Sequence, residues 1–236
     1  MVMETIIEFK NVNKIYKSGD SFLKVLDDVN LKIMDGEFVV ILGPSGAGKS
    51  TLLNLLGGLD SVTSGEIIVN GKHIESYDDI KLTRYRAENV GFVFQFYNLI
   101  PNLTARENIE LMKEIVDYDI DALKLLDDVG LKNHADKFPS QMSGGEQQRV
   151  SIARAIAKQP TMLLCDEPTG ALDSNTGTLV LNILQEMSRN DNTTVIIVTH
   201  NELISSAADK TIRIKNGKIE RIDINLMPKK ISELKL

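Results

Sequence analysis

At 236 residues the chain has room for one large α/β domain or a core with a small subdomain, and 42% hydrophobic residues suffice for a buried sheet, which excludes a disordered segment. A net charge of −6 excludes a general attraction to nucleic acid, which calls for a basic face. The single cysteine, Cys165, excludes an internal disulfide; in its apolar run it reads as a buried, inert thiol in a reducing cytoplasm. The start, Met1 to Glu8, has neither a basic segment nor a long apolar one, and no later apolar run approaches the roughly 18 residues of a membrane span. Any membrane association is therefore expected to come through a partner.

In chain order, Ile6 to Val12 and Val25 to Ile33 alternate apolar and polar residues about a turn at Lys17-Ser-Gly-Asp-Ser21, which predicts an antiparallel hairpin layer. Tyr16, just before the turn, is an aromatic that can stack on a flat base. The run Glu37 to Leu42 reads as a strand, and Thr51 to Leu56 as a helix. Between them, Gly43-Pro44-Ser45-Gly46-Ala47-Gly48-Lys49-Ser50 fits G-x-x-x-x-G-K-[ST] in the strand, loop, helix order that a phosphate-binding loop requires. Glycines let backbone N–H groups curl around phosphate oxygens, and the helix N-terminus adds positive character at the same point. Lys49 is expected to reach the β- and γ-phosphates, and the Ser50 hydroxyl to ligate Mg2+.

Gly65 to His73 predicts a strand with an Asn-Gly turn, and Asn89 to Gln95 another, ending in a glutamine whose carbonyl oxygen can be presented to a metal or water. From Thr104 to about Lys132, Ile109, Met112, Ile115, Leu123, Leu126 and Val129 recur at helical spacing, a helical insertion bounded by Pro139. Ser143-Gly144-Gly145 opens a helix to about Lys158, with Val150, Ala153 and Ala157 on one face, and forms a second anion site. Either the protein binds two anions, or Ser143 serves a phosphate held by another copy of the chain. Thr161 to Glu167 is a buried-strand run ending in two carboxylates; in P-loop NTPases the aspartate at such a strand end, here Asp166, helps hold Mg2+, and an adjoining carboxylate, which would be Glu167, orients or deprotonates the attacking water. Asp173 follows a Pro-Thr-Gly turn, and Thr193 to His200 is a further strand whose terminal His can bond a γ-phosphate.

Tyr16, Gly43 to Thr51, Gln95, Ser143-Gly-Gly-Glu-Gln, Asp166-Glu167, Asp173 and His200 occur in the order and approximate spacing of the ATP-binding-cassette ATPases, which the chain resembles from about residue 4 to 222. Phe92 to Pro101, Leu103 to Asn108 and Cys165 to Asp173 look most like the lipoprotein-releasing, macrolide-exporting and antimicrobial-peptide transporter group. Two departures are Met142, where the signature usually has Leu, and a segment between Asn108 and Gly130 that looks short for this group.

The resemblance implies an α/β P-loop core with a mainly parallel sheet, an N-terminal antiparallel β layer and an inserted helical subdomain. It also implies a single domain over 1–236, with residues 1–94 and 160–222 as core and β layer and 95–159 as the helical subdomain with the signature. Residues 223–236 read as a tail, either a frayed end or a partner-docking segment. It further implies ATP and Mg2+ as ligands, with Glu167, His200, Gln95 and Lys49 in catalysis and Ser50, Gln95 and Asp166 at the metal. Tyr16, Gly43 to Thr51, Ser143 to Gly145 and Asp173 would contact nucleotide. Two copies would sandwich two ATP molecules head to tail, and an integral membrane permease would hold them at the inner face of the cell membrane, with the apolar loop Phe96 to Leu103 facing it. A soluble cassette ATPase acting on nucleic acid or ribosomes, and a cassette that does not turn over, are the alternatives; no nucleic acid is expected.

Overall fold

The computed structural model of the chain describes residues 4–234; the first three residues of the stretch read for a leader, and the last two of the tail, lie outside them. β1 (Thr5–Ser18) and β2 (Ser21–Met34) pair antiparallel and run on to the turn, past the expected ends at Val12 and Val25. β4 (Ser64–Val69) pairs with β1 and turns at Asn70-Gly71, both at positive φ (49° and 71°), into the two residues of β5 (Lys72–His73). Asn-Gly adopts that backbone at low cost. The result is a four-stranded antiparallel sheet in the order β2-β1-β4-β5.

The second sheet runs β10-β9-β3-β8-β7-β6. Its strands β3 (Phe38–Leu42), β6 (Val90–Val93), β7 (Met162–Asp166), β8 (Thr194–Thr199) and β9 (Lys210–Lys215) are parallel, and β10 (Lys218–Ile224) is an antiparallel edge. A strand buried on both faces reads as a continuous apolar run, and every residue of β3 is buried. Successive side chains point to opposite faces. Thus Val39 and Ile41, with Leu164 and Val198, face the antiparallel layer and α1 (Lys49–Leu56). Val40, Leu163, Cys165 and Ile197 face Val180, Leu181 and Leu184 of α6 (Ser174–Asn190). Cys165 is fully buried, and burial pushes its thiol pKa up, as its apolar run predicts.

The polar segment after β5 forms α2 (Asp79–Asn89), capped by the Asp78 side chain. The block from Thr104 is helical but not one helix. α3 (Ala105–Glu110) and α4 (Ala122–Asp128) are separated by a 3-10 turn, and Asp121 accepts from the Lys124 N–H to start α4 afresh. The break changes which residues face inward. Ile109, Leu126 and Val129 are buried against Val150 and Ala153 of α5 (Gly144–Ile156), whereas Ile115 and Leu123 are 48% and 45% exposed.

The tail expected over 223–236 does not fray within the described residues. β10 runs to Ile224, the Lys229 N–H donates to Ser206 O, and the Ile231 N–H donates to Gln185 Oε1. Ile231 is fully buried in the cluster that holds Leu184, with Leu234 packed against it. Two apolar residues three apart close a 3-10 turn over α6.

Candidate active site

Parallel strands bring their C-terminal ends to one sheet edge, where ligands of such sheets bind. The register sets them side by side: Leu42 is opposite Thr199, Asp166 opposite Val198, and Val93 opposite Cys165. The residues that follow, Gly43, His200, Glu167 and Phe94-Gln95, therefore emerge together. Phe94, Gln95, Glu167 and His200, with Ser45 to Thr51 and Asp166, line a cavity of about 810 Å3 with Leu23 and Phe96 at its side, while Gly43 and Pro44 lie outside its lining. That volume lies within the range of small-molecule sites.

Gly48 begins α1 at φ 101°, and a Cβ there would come within 2.8 Å of the Val25 carbonyl. At Gly43 a Cβ would sit 2.2 Å from the Ile214 carbonyl, so at these two positions the backbone lies too close to its neighbours for any side chain. No side chain caps α1, which leaves its first N–H groups free for an anion. Lys49 is buried, its Nζ donating to Gly43 O (2.7 Å) and Pro44 O (3.1 Å), and among the described residues it has no carboxylate within ion-pair distance. A buried cation held by carbonyls alone fits a polyphosphate.

Asp166 stands beside Ser50 at the cavity; burial pushes its carboxyl pKa up, and the Glu167 charge adds to this while Ser50 and Lys49 oppose it. A hydroxyl and one carboxylate side by side suit Mg2+, which takes few protein ligands and keeps water and phosphate oxygens for the rest. Glu167 stands at φ 47°, a conformation that costs a non-glycine residue about 1–3 kcal/mol. The surroundings hold it there. Its N–H donates to Val198 O (2.9 Å), Thr199 Oγ1 donates to its Oε2 (3.1 Å), and His200 Nδ1 lies 2.9 Å from its Oε1. His200 thus meets the glutamate directly. Gln95 packs on the turn after Glu167, where a Cβ on Gly170 would come within 3.1 Å of its Nε2.

The other expected contacts lie elsewhere. Ser143 caps α5 with a capping box: its hydroxyl accepts from the Glu146 N–H and donates to Glu146 Oε2 (2.9 Å). The Ser143 N–H bond foremost holds the Glu146 carboxyl below its usual range. A Cβ on Gly144 would meet the Tyr97 hydroxyl at 2.5 Å, and one on Gly145 would meet Thr176 at 2.0 Å. Asp173 caps α6 by accepting from the N–H groups of Asn175 and Thr176. Ser143 to Gly145 and Asp173 therefore gather at the starts of α5 and α6 and do not line the phosphate-loop cavity. Tyr16 is likewise outside the cavity lining, paired with Leu23 across β1 and β2.

Two arrangements escape a reading of motifs. Tyr16 donates its hydroxyl to Asp60 Oδ2 (2.6 Å), while Lys14 Nζ donates to Asp60 Oδ1 (2.5 Å) and sits 4.7 Å from the Tyr16 ring centre. Nothing in the sequence ties residue 60 to residue 16. Gln148 is fully buried and donates to Phe94 O (3.2 Å) and Pro168 O (2.7 Å). Its sequence signal is a polar residue four before Ile152 and seven before Ala155, on the apolar side of α5.

The comparisons agree with this geometry. Residues 26–170 match the family model described as ABC transporter. The putative ABC transporter ATP-binding protein MG065 of Mycoplasma genitalium is 47% identical over 98% of this chain and 50% of its own length. The macrolide export ATP-binding/permease protein MacB of Shigella flexneri is 42% identical over 93% of this chain and 34% of its own. The ATP-binding cassette MJ0796 of Methanocaldococcus jannaschii, solved as a dimer in a post-hydrolysis state bound to ADP and Pi, superposes with a TM-score of 0.86 at 42% identity, covering 92% of this chain and 98% of that one. The chain spans half the length of MG065 and about a third of MacB. It is an ATP-binding cassette and belongs to the ABC transporter family.

Proposed function

We propose that the chain is the ATP-hydrolysing subunit of an ABC transporter complex and couples dimer closure to a membrane permease. The observation that carries this reading is the meeting of Lys49, Asp166, Glu167 and Gln95 at one cavity while Ser143 to Gly145 stands outside it. A second copy facing head to tail would bring its Ser143 to Gly145 to that cavity, in line with the dimeric state of MJ0796. Lys49 and the loop N–H groups would neutralise charge on the transferring phosphoryl. Ser50, Asp166 and Gln95 would hold Mg2+, which would supply positive charge against the phosphates. Glu167 would take a proton from water as base, and His200, bonded to its other oxygen, would orient it. Phosphate release by the purified chain on ATP, present with Mg2+ and absent without it, tests the activity.

Tyr16 serves the nucleotide base in this reading, with Asp60 holding its ring angle. Tyr16→Phe is expected to raise KM for ATP about threefold, the worth of one hydrogen bond. Tyr16→Ala is expected to raise it about tenfold or more by removing stacking. kcat should be unchanged in both, which steady-state kinetics read directly.

No described helix is long and apolar enough to cross a membrane. In this reading the permease supplies the membrane contact. In the loop after Gln95, Leu99 packs into the helical cluster, whereas Phe96 is 74% and Ile100 39% exposed. The docking surface is therefore narrower than the whole Phe96 to Leu103 run. Ile100→Asp is expected to cut recovery of the chain with membranes several-fold while basal ATPase stays within about twofold. Undiminished recovery would place docking elsewhere.

A further inference from the structure

A side-chain amide facing two carbonyl oxygens must present its NH2 group to both, because its own oxygen cannot donate. Gln148 faces Phe94 O and Pro168 O. Phe94 immediately precedes Gln95, and Pro168 immediately follows Glu167. One amide thus spans the backbone next to the metal-side glutamine and the backbone next to the water-side glutamate. The cost of this arrangement is visible, since Gln148 Oε1 is buried with no donor among the described residues. A buried acceptor left unpaired costs about 1–3 kcal/mol.

The same helix grips the loop again six residues later, somewhat under two turns. Arg154 donates to Asn98 O (2.7 Å) and Tyr97 O (3.2 Å), and the Tyr97 hydroxyl lies against Gly144 at the helix start. Residues 94 to 98 are therefore fastened to α5 from end to end. The hydrogen bond from Gln148 carries the fastening across to Pro168, next to Glu167.

We infer that Gln148 is a positioning residue for phosphoryl transfer, its amide locking the carbonyls beside Gln95 and Glu167 to the helix that starts at Ser143. This rests on the ATPase reading. Its consequence is that the helix offered to a second copy of the chain and the groups that would hold metal and water on this copy move as one body. Small misplacements of such groups cost rate far more than binding.

Gln148→Met keeps the length of the side chain and removes its donor. Steady-state phosphate release should give a kcat lowered about ten- to a hundredfold with KM for ATP within about twofold. Independently of hydrolysis, spin labels at Leu123→Cys on α4 and Ile80→Cys on α2, both exposed, read the distance between helical block and core. Cys165 is buried and does not compete for label. The distance distribution should broaden in Gln148→Met without nucleotide. Unchanged kcat, or kcat falling only in step with folded fraction at unchanged distance width, overturns the proposal. If Gln148→Met does not fold, Gln148→Asn, which withdraws the donors by one methylene, must show the same split. A parent chain without hydrolysis would overturn the ATPase reading alone, and the distance width would still decide whether Gln148 is the lock.

Discussion

Glu167→Gln is expected to hydrolyse ATP about 10^2- to 10^4-fold more slowly than the parent while binding it as well, the range associated with loss of a positioned base. The glutamate lies beside Asp166, its left-handed backbone is held by the Val198 carbonyl, and its two oxygens are engaged by Thr199 and His200. An amide of the same shape keeps at least one of those contacts and removes the basic oxygen. Lys49→Ala acts on a different quantity. It deletes the buried cation of the phosphate loop, so nucleotide affinity itself should fall. Titration of a fluorescent ATP analogue separates the two, and a Glu167→Gln chain that turns over at the parental rate would remove the base assignment.

The second large effect is complementation. Ser143 to Gly145 caps α5 at a place distinct from the cavity that Lys49 occupies, so each site would be completed by the other copy. Lys49→Ala and Ser143→Arg chains should each be nearly inactive alone. Mixed, they can build one site from the intact loop of one and the intact Ser143 of the other. A statistical mixture yields half of its dimers as heterodimers, each with one of two sites intact, so about a quarter of parental activity should return. Activity of the parent should also rise with its concentration. A mixture as inactive as its components would contradict a shared site.

Much of the site was legible because its chemistry is local. The phosphate loop needs glycines, a lysine and a hydroxyl within eight consecutive residues, and Asp166-Glu167 ends an apolar strand where a parallel sheet exposes its edge. What was not legible depends on contacts between distant residues. Periodicity from Ile109 to Val129 cannot reveal that Asp121 caps a new helix and turns Leu123 outward. Asp60 reaches Tyr16, and Ile231 reaches Gln185, across 44 and 46 positions. His200 reads as a phosphate contact from its strand end alone, and its bond to Glu167 follows from the β7–β8 register.

The measurement that bears most directly on the composite site is the molar mass in solution of Glu167→Gln, determined by light scattering with and without Mg-ATP. Binding energy from two sandwiched nucleotides should hold the chains together once hydrolysis no longer ends the bound state. The expected result is the mass of one chain, 26.2 kDa, without nucleotide and twice that with it. A chain that binds Mg-ATP with unaltered affinity and still has the mass of a single copy would contradict the shared site.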